Sequence, residues 1–240
     1  MTRTAIKPMG FFLSLIYFGV PTLLLYIATD YCIPWLRQLS NLPQVVCWHI
    51  CSSLLVFVPL FFAALLFYRL EGNPWLISVF LKRIRLDNLN RKIWMVSIVG
   101  VIFISFLTYI FMSAGKIMVT DFSTQPTFMT MEPLQDGEYW ILLVWLPMFF
   151  FNIMGEGLFW RGYIFPRQEL KYGRFTWIMH GFFWTLFHLP FGWNLTFSFL
   201  PILFITAYLV QHTRSTWTDI LIHTIINGSG FLLIAFGIVS

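Results

Sequence analysis

Apolar residues run through this chain in long blocks separated by short polar punctuation. A hydrocarbon core about 30 Å thick needs roughly 20 residues of apolar helix. Seven blocks meet or approach that length, at 10–29, 45–68, 93–114, 139–165, 175–191, 197–212 and 217–238. The fifth and sixth are short, and Pro190 and Pro201 mark the expected turn between them. Polar connections are expected at 30–43 and 116–138. In 73–92, Trp75, Leu76, Val79, Phe80 and Leu81 are set against Lys82, Arg83, Arg85, Arg91 and Lys92, which predicts a basic helix lying in the interface. The pattern predicts an all-α polytopic transmembrane helix bundle of about seven spans, six to eight at the limits, with no internal repeat.

Composition strengthens this reading. Charged residues make up 10% of the 240 and apolar residues 58%, whereas a soluble domain carries about a quarter charged residues. The chain is therefore expected in a membrane, with lipids as its surroundings. Its formal charge of +5 reflects loop charge and does not point to nucleic acid. The basic flank and apolar run at the start lack a small-residue cleavage pattern, so the first block reads as an uncleaved helix. Cys32, Cys47 and Cys51 show no metal-ligand spacing and read as packing residues.

Charge also orients the spans. Arg3 and Lys7, then Arg69 with the 73–92 cluster, then Arg167, Lys171 and Arg174, then Arg214 fall in alternate connections. The others hold only Arg37 and Lys116, the latter diluted by Asp121, Glu132, Asp136 and Glu138. Basic connections mark the cytoplasmic side, so the N-terminus is expected inside and the C-terminus outside.

Against this apolar background, Glu156, Arg161, His188, His223 and Asn227 stand out, because ionisable groups at membrane depth are costly and kept for a function. Counting from Arg167, Arg174 and Arg214 at 1.5 Å per residue, Glu156 lies about 16 Å deep, His188 about 21 Å, His223 about 13 Å and Asn227 about 20 Å. Three helices thus bring polar groups to similar depth. His223 and Asn227, four apart, share a helical face and offer donors for an oxyanion. Glu156 can trade protons with a water that His188 helps to hold. His180 reads as a packing residue on the helix of His188, and His49 lies far along the chain from the cluster.

The order E-x-x-x-x-R-G, W-x-x-x-H, H-x-x-x-N over 139–238 resembles the CPBP family of intramembrane proteases, which includes type II CAAX prenyl endopeptidases and the Abi or bacteriocin-processing proteins. The resemblance implies an active site buried among the C-terminal helices and a peptide-bond hydrolase. Glu156 would activate water, His188 would help hold it, His223 and Asn227 would contact water or oxyanion, and Arg161 would be structural. Trp184 stands where the family has Phe, a change expected to alter packing or substrate contact. Two regions follow: 1–138, N-terminal membrane helices with the interfacial segment 73–92, and 139–240, the catalytic helical core.

One departure is Gly157, where the family carries a second Glu. That residue and Arg161 would form an i,i+4 pair; here Arg161 needs another partner, among Glu156, Asp219, Glu169 and backbone carbonyls. The primary reading is an intramembrane endopeptidase in a bacterial inner membrane, acting on a peptide or membrane protein from the cytoplasmic side or laterally. The alternative that Gly157 raises is a catalytically reduced scaffold, immunity factor or regulator. A transporter using the cluster as a proton relay is disfavoured by the lack of inverted repeats. No H-E-x-x-H is present, so the reading is metal-free, with zinc or another divalent metal on Glu156, His188 and His223 as the alternative.

Overall fold

A computed structural model describes residues 6–239, so Arg3 of the N-terminal basic pair lies outside the described residues. Among the described residues every regular element is helical, as backbone in hydrocarbon requires, because each N–H and C=O must be satisfied within its own segment. Helix α1 spans Phe11–Ser40, α2 Gln44–Leu70, α3 Ile77–Arg83 and α4 Arg91–Met118. Helix α5 covers Ile141–Glu156 and passes through a π-helical stretch, Gly157–Ile164, into α6, Phe165–Tyr172. Helix α7 is Thr176–His188, α8 Trp193–Thr213 and α9 Thr216–Ala235.

Six helical runs among the described residues are long and apolar enough to cross a membrane. The fourth, Ile141–Phe191, has 51 residues, and at 1.5 Å per residue a straight helix of that length would reach about 76 Å, far beyond one bilayer core. It reverses at Gly173, whose φ of 54° lies in the left-handed region. Helices α5 and α7 are therefore separate segments, and seven segments traverse the bundle among the described residues.

The connections segregate to two faces. On one, the Met9 N–H donates to the Arg167 carbonyl (3.0 Å) and the Thr216 N–H to that of Arg85 (3.0 Å). There Glu71 accepts from both Arg83 and Arg167 at 2.6 Å, and Arg85 pairs with Glu169. On the other face Gln44 donates to the Phe128 carbonyl, the Thr127 N–H to that of Phe191 (3.2 Å) and the Leu134 N–H to that of Ala235 (2.9 Å). The described basic connections thus share one side, as their alternation along the chain predicts.

Three local expectations need correction. Most of 30–43 is helical, because Asp30 sits in a widened turn where the Thr29 hydroxyl donates to its carboxylate (2.7 Å). Pro34 opens the regular helix that follows, where its missing N–H costs least. Of 73–92, only Ile77–Arg83 forms the interfacial helix. Its Trp75, Leu76 and Ile77 neighbourhood is exposed, while Arg83 and Arg85 turn inward to carboxylates. Pro201 lies inside α8; the turn is made by Leu189–Phe191 and Gly192.

Glu71 joins three segments of the basic face. Burial pushes its carboxyl up, but hydrogen bonds and charge from Arg83 and then Arg167 outweigh that and hold it below the usual value of 4.5. Its stabilising contribution is therefore complete above that value and is lost as pH falls through the lower, folded-state value. Glu71→Gln is expected to cost about 1–3 kcal/mol at neutral pH and to flatten the acid side of the melting-temperature profile of the detergent-solubilised protein.

Candidate active site

Helices α5, α7 and α9 bring Glu156, Trp184, His188, His223 and Asn227 to one cavity of about 360 Å³, whose lining is mostly aromatic and aliphatic. Glu156 closes α5 at its junction with the π-helical stretch. Widened turns of this kind recur at functional sites because they change which way successive side chains project. The carboxylate is 2% exposed and accepts two hydrogen bonds, from Asn152 Nδ2 at Oε1 (2.8 Å) and from Trp184 Nε1 at Oε2 (2.9 Å). These use part of its acceptor capacity and leave lone pairs for a third donor.

His188 ends α7 with Nδ1 2.8 Å from the Trp184 carbonyl. A carbonyl only accepts, so the proton belongs on Nδ1 and Nε2 is left as an acceptor. The Thr196 hydroxyl donates to the His188 carbonyl (2.8 Å), tying the end of α7 to α8. On α9, His223 is 3% exposed and its Nδ1 meets no protein partner. Asn227, one turn on, reaches Asn152 Oδ1 at 3.4 Å. The predicted constellation therefore does converge, around a carboxylate held from two sides.

Arg161 is paired with Asp219 and not with Glu156. Its Nε donates to Asp219 Oδ1 on α9 at 3.0 Å, with Arg161 0% and Asp219 1% exposed. Of the four partners open to it, Glu169 is taken by Arg85 and Asp219 supplies the charge. The guanidinium carbon lies 3.8 Å from the Trp184 ring centroid, close enough for cation–π attraction. Arg161 Nη1 also meets His180 Nε2; His180 Nδ1 lies 2.6 Å from Gln168 Oε1, and Gln168 Nε2 donates to Ser14 (3.0 Å).

Gly157 explains how Asp219 comes so near. A Cβ at 157 would stand 3.0 Å from Ile220 Cγ1 and 3.5 Å from Asp219 Oδ2. The absent side chain lets α9 press against the π-helical stretch, and α9 carries the carboxylate that 157 lacks.

Asn152 and His49 lie outside the predicted cluster, and Trp184 and His180 make contacts that residue order does not reveal. Asn152, four residues before Glu156, shares its helical face and is a carboxamide in an apolar run, a signal that was present. Trp184 was expected to affect packing or substrate contact, yet its indole N–H anchors the carboxylate, which the ring of Phe cannot do. His180, read as packing, braces Arg161. His49, distant along the chain, lines the same cavity with its ring edge-on to Phe231 at 5.4 Å; its apolar flanks carried no signal.

Among the described residues no three His, Cys, Asp or Glu side chains group so that they could hold a metal ion.

The charge relation gives a reciprocal prediction. Asp219→Ala strands a buried cation and is expected to cost about 3–5 kcal/mol, and Gly157→Glu alone to destabilise by crowding Ile220 and setting a second carboxylate beside Asp219. Combined, Gly157→Glu/Asp219→Ala should melt above either single variant. Additive losses would mean that the two positions do not share Arg161.

Residues 138–229 match the family described as Type II CAAX prenyl endopeptidase Rce1-like. No curated protein and no solved structure matches the chain. The matched stretch runs from just before α5 into α9 and contains every residue of the constellation, in agreement with the resemblance carried by its three motifs. Residues 138–229 of this integral membrane chain are thus similar to the Rce1-like type II CAAX prenyl endopeptidases.

Proposed function

We propose that the chain is an intramembrane endopeptidase in which Glu156 activates a water held with His188. The observation that carries this is the convergence of Glu156, His188, His223 and Asn227 on one apolar cavity, with Glu156 oriented by Asn152 and Trp184. Glu156 takes a proton from the water while the oxygen attacks the scissile carbonyl. His223 and Asn227 donate to the oxyanion. Glu156 then returns the proton to the amide nitrogen as the C–N bond breaks, leaving a carboxylic acid and an amine, between which the remaining proton is shared as carboxylate and ammonium. An apolar cavity strengthens each of these electrostatic contacts.

The proposed reaction uses no metal, with Glu156 as base rather than ligand. The scaffold alternative drew its force from Gly157, and Asp219 supplies the carboxylate whose loss raised it. We assign the basic face to the cytoplasm by the excess of Lys and Arg in its connections, in a bacterial inner membrane, with 139–240 as the catalytic core and 1–138 as its supporting helices. Substrates are peptides or membrane proteins.

Purified protein in detergent should cleave members of a peptide library. Glu156→Gln should remove activity below detection, and His188→Ala and His223→Ala should lower kcat by about 10²–10⁴-fold, the usual range for acid–base and oxyanion groups. Chelators should leave the rate unchanged. Cleavage that survives all three substitutions would overturn these roles, and binding of a partner with no cleavage would favour the scaffold.

A further inference from the structure

The cavity has a direction. Glu156 and Trp184 form its inner end, and from there its lining runs toward the face opposite the basic connections. Trp48 near the start of α2, Phe191 at the α7–α8 turn, Phe231 and Ile234 near the end of α9, and Met129 and Met131 from the 119–140 connection all border it. That connection is a strap across the cavity, tied by the Thr127 N–H to the Phe191 carbonyl (3.2 Å), by Gln44 to the Phe128 carbonyl and by the Leu134 N–H to the Ala235 carbonyl (2.9 Å).

Toward the basic face the route is filled. Arg161, Asp219, His180, Gln168 and Ser14 form a buried layer, each at most 1% exposed. Phe18 stacks on Trp160 beside them at 4.2 Å between centroids. Passage on that side would break the buried ion pair; passage on the other displaces a strap with few hydrogen bonds.

The strap has a charge of its own. Between 119 and 140 it carries Asp121, Glu132, Asp136 and Glu138 and no Lys or Arg. The first three are exposed. An acidic strap over an apolar cavity complements a peptide with an apolar segment beside basic residues.

We infer that substrate reaches Glu156 from the face opposite the basic connections, by displacement of the 119–140 strap, and that this face favours peptides whose apolar segment is flanked by basic residues. The inference rests on the protease reading, replaces the expected cytoplasmic or lateral approach with approach from the other face, and adds the substrate charge.

The test uses full-length protein in detergent and in sealed proteoliposomes, with Asp121→Cys labelled by an impermeant maleimide to count molecules with the strap outward. The probe is a soluble quenched-fluorescent peptide with an apolar centre and either lysine or glutamate at both ends, added outside. Cleavage should follow the strap-outward fraction. The lysine peptide should show a several-fold lower KM at low salt, and Asp121→Asn/Glu132→Gln/Asp136→Asn should erase that preference while sparing kcat.

A crosslink tests the strap itself. A Cβ on Gly192 would lie 3.6 Å from Thr127 Cβ, within the disulfide range of about 3.5–4.5 Å. Oxidised Thr127→Cys/Gly192→Cys should lose most of its turnover and regain it on reduction; the reduced form controls for strain at Gly192, where φ is 96°. Cleavage in detergent together with cleavage that follows the strap-inward fraction would overturn this inference and spare the protease reading. Full turnover in the oxidised variant, or equal KM for the two peptides, would also overturn it. No cleavage in detergent would overturn the protease reading and this inference with it.

Discussion

A guanidinium buried inside a membrane bundle is the constraint around which the rest of the site is arranged. Arg161 has no access to water, so its charge must be met within the protein. Asp219 meets it from α9, Trp184 covers its face from α7, and His180 meets its edge. Asp219 lies on α9 and both Trp184 and His180 on α7, so one charge on the stretch that follows α5 fixes how three helices sit. Trp184 carries that order onward, because the ring stacked against Arg161 is also the donor that holds Glu156. The ion pair thus sets the geometry of a carboxylate it never touches.

Gly157 belongs to the same constraint. In a helix carrying a second Glu there, Arg161 would find its counter-charge on its own strand of backbone. With glycine, the counter-charge comes from the neighbouring helix, and the space left by the missing side chain is what allows that helix to approach. A local substitution is balanced by a tertiary contact, and the charge count of the buried layer is preserved. Arg161 lies in the π-helical stretch from Gly157 to Ile164 and is paired with Asp219, and the hydrogen bonds to Glu156 come from neutral donors.

Much of this could be read from residue order, because hydrophobic run length and charged connections are direct records of bilayer thickness and sidedness. The seven blocks and the alternation of basic loops follow from those two physical rules, and the cluster of Glu156, His188, His223 and Asn227 follows from the cost of polar groups in lipid. What escaped depends on contacts between helices. Asp219 was one of four candidates for Arg161, and only the packing of α9 on α5 selects it. His49 lies more than a hundred residues from the nearest motif, and no local pattern links it to the cavity. The turn at Pro201 failed because proline inside a membrane helix is tolerated where neighbours satisfy the freed carbonyl, so it did not have to end one. The 73–92 segment is shorter as helix than its amphipathic pattern suggested because its arginines are drawn to Glu71 and Glu169.

The resulting site couples a rigid, charged layer near the basic face to an apolar chamber on the other side, with Glu156 at their boundary. That position lets one carboxylate be held firmly and still meet a substrate in a low-dielectric space. Its function as the base for a hydrolytic water has a direct chemical signature. Cleavage of a peptide in ¹⁸O-labelled water, with the new C-terminus read by mass spectrometry after a single turnover, should give one heavy oxygen in the product carboxylate, and Glu156→Gln should give no labelled product. Products without label, or labelled products formed by Glu156→Gln at the wild-type rate, would contradict a water activated by Glu156.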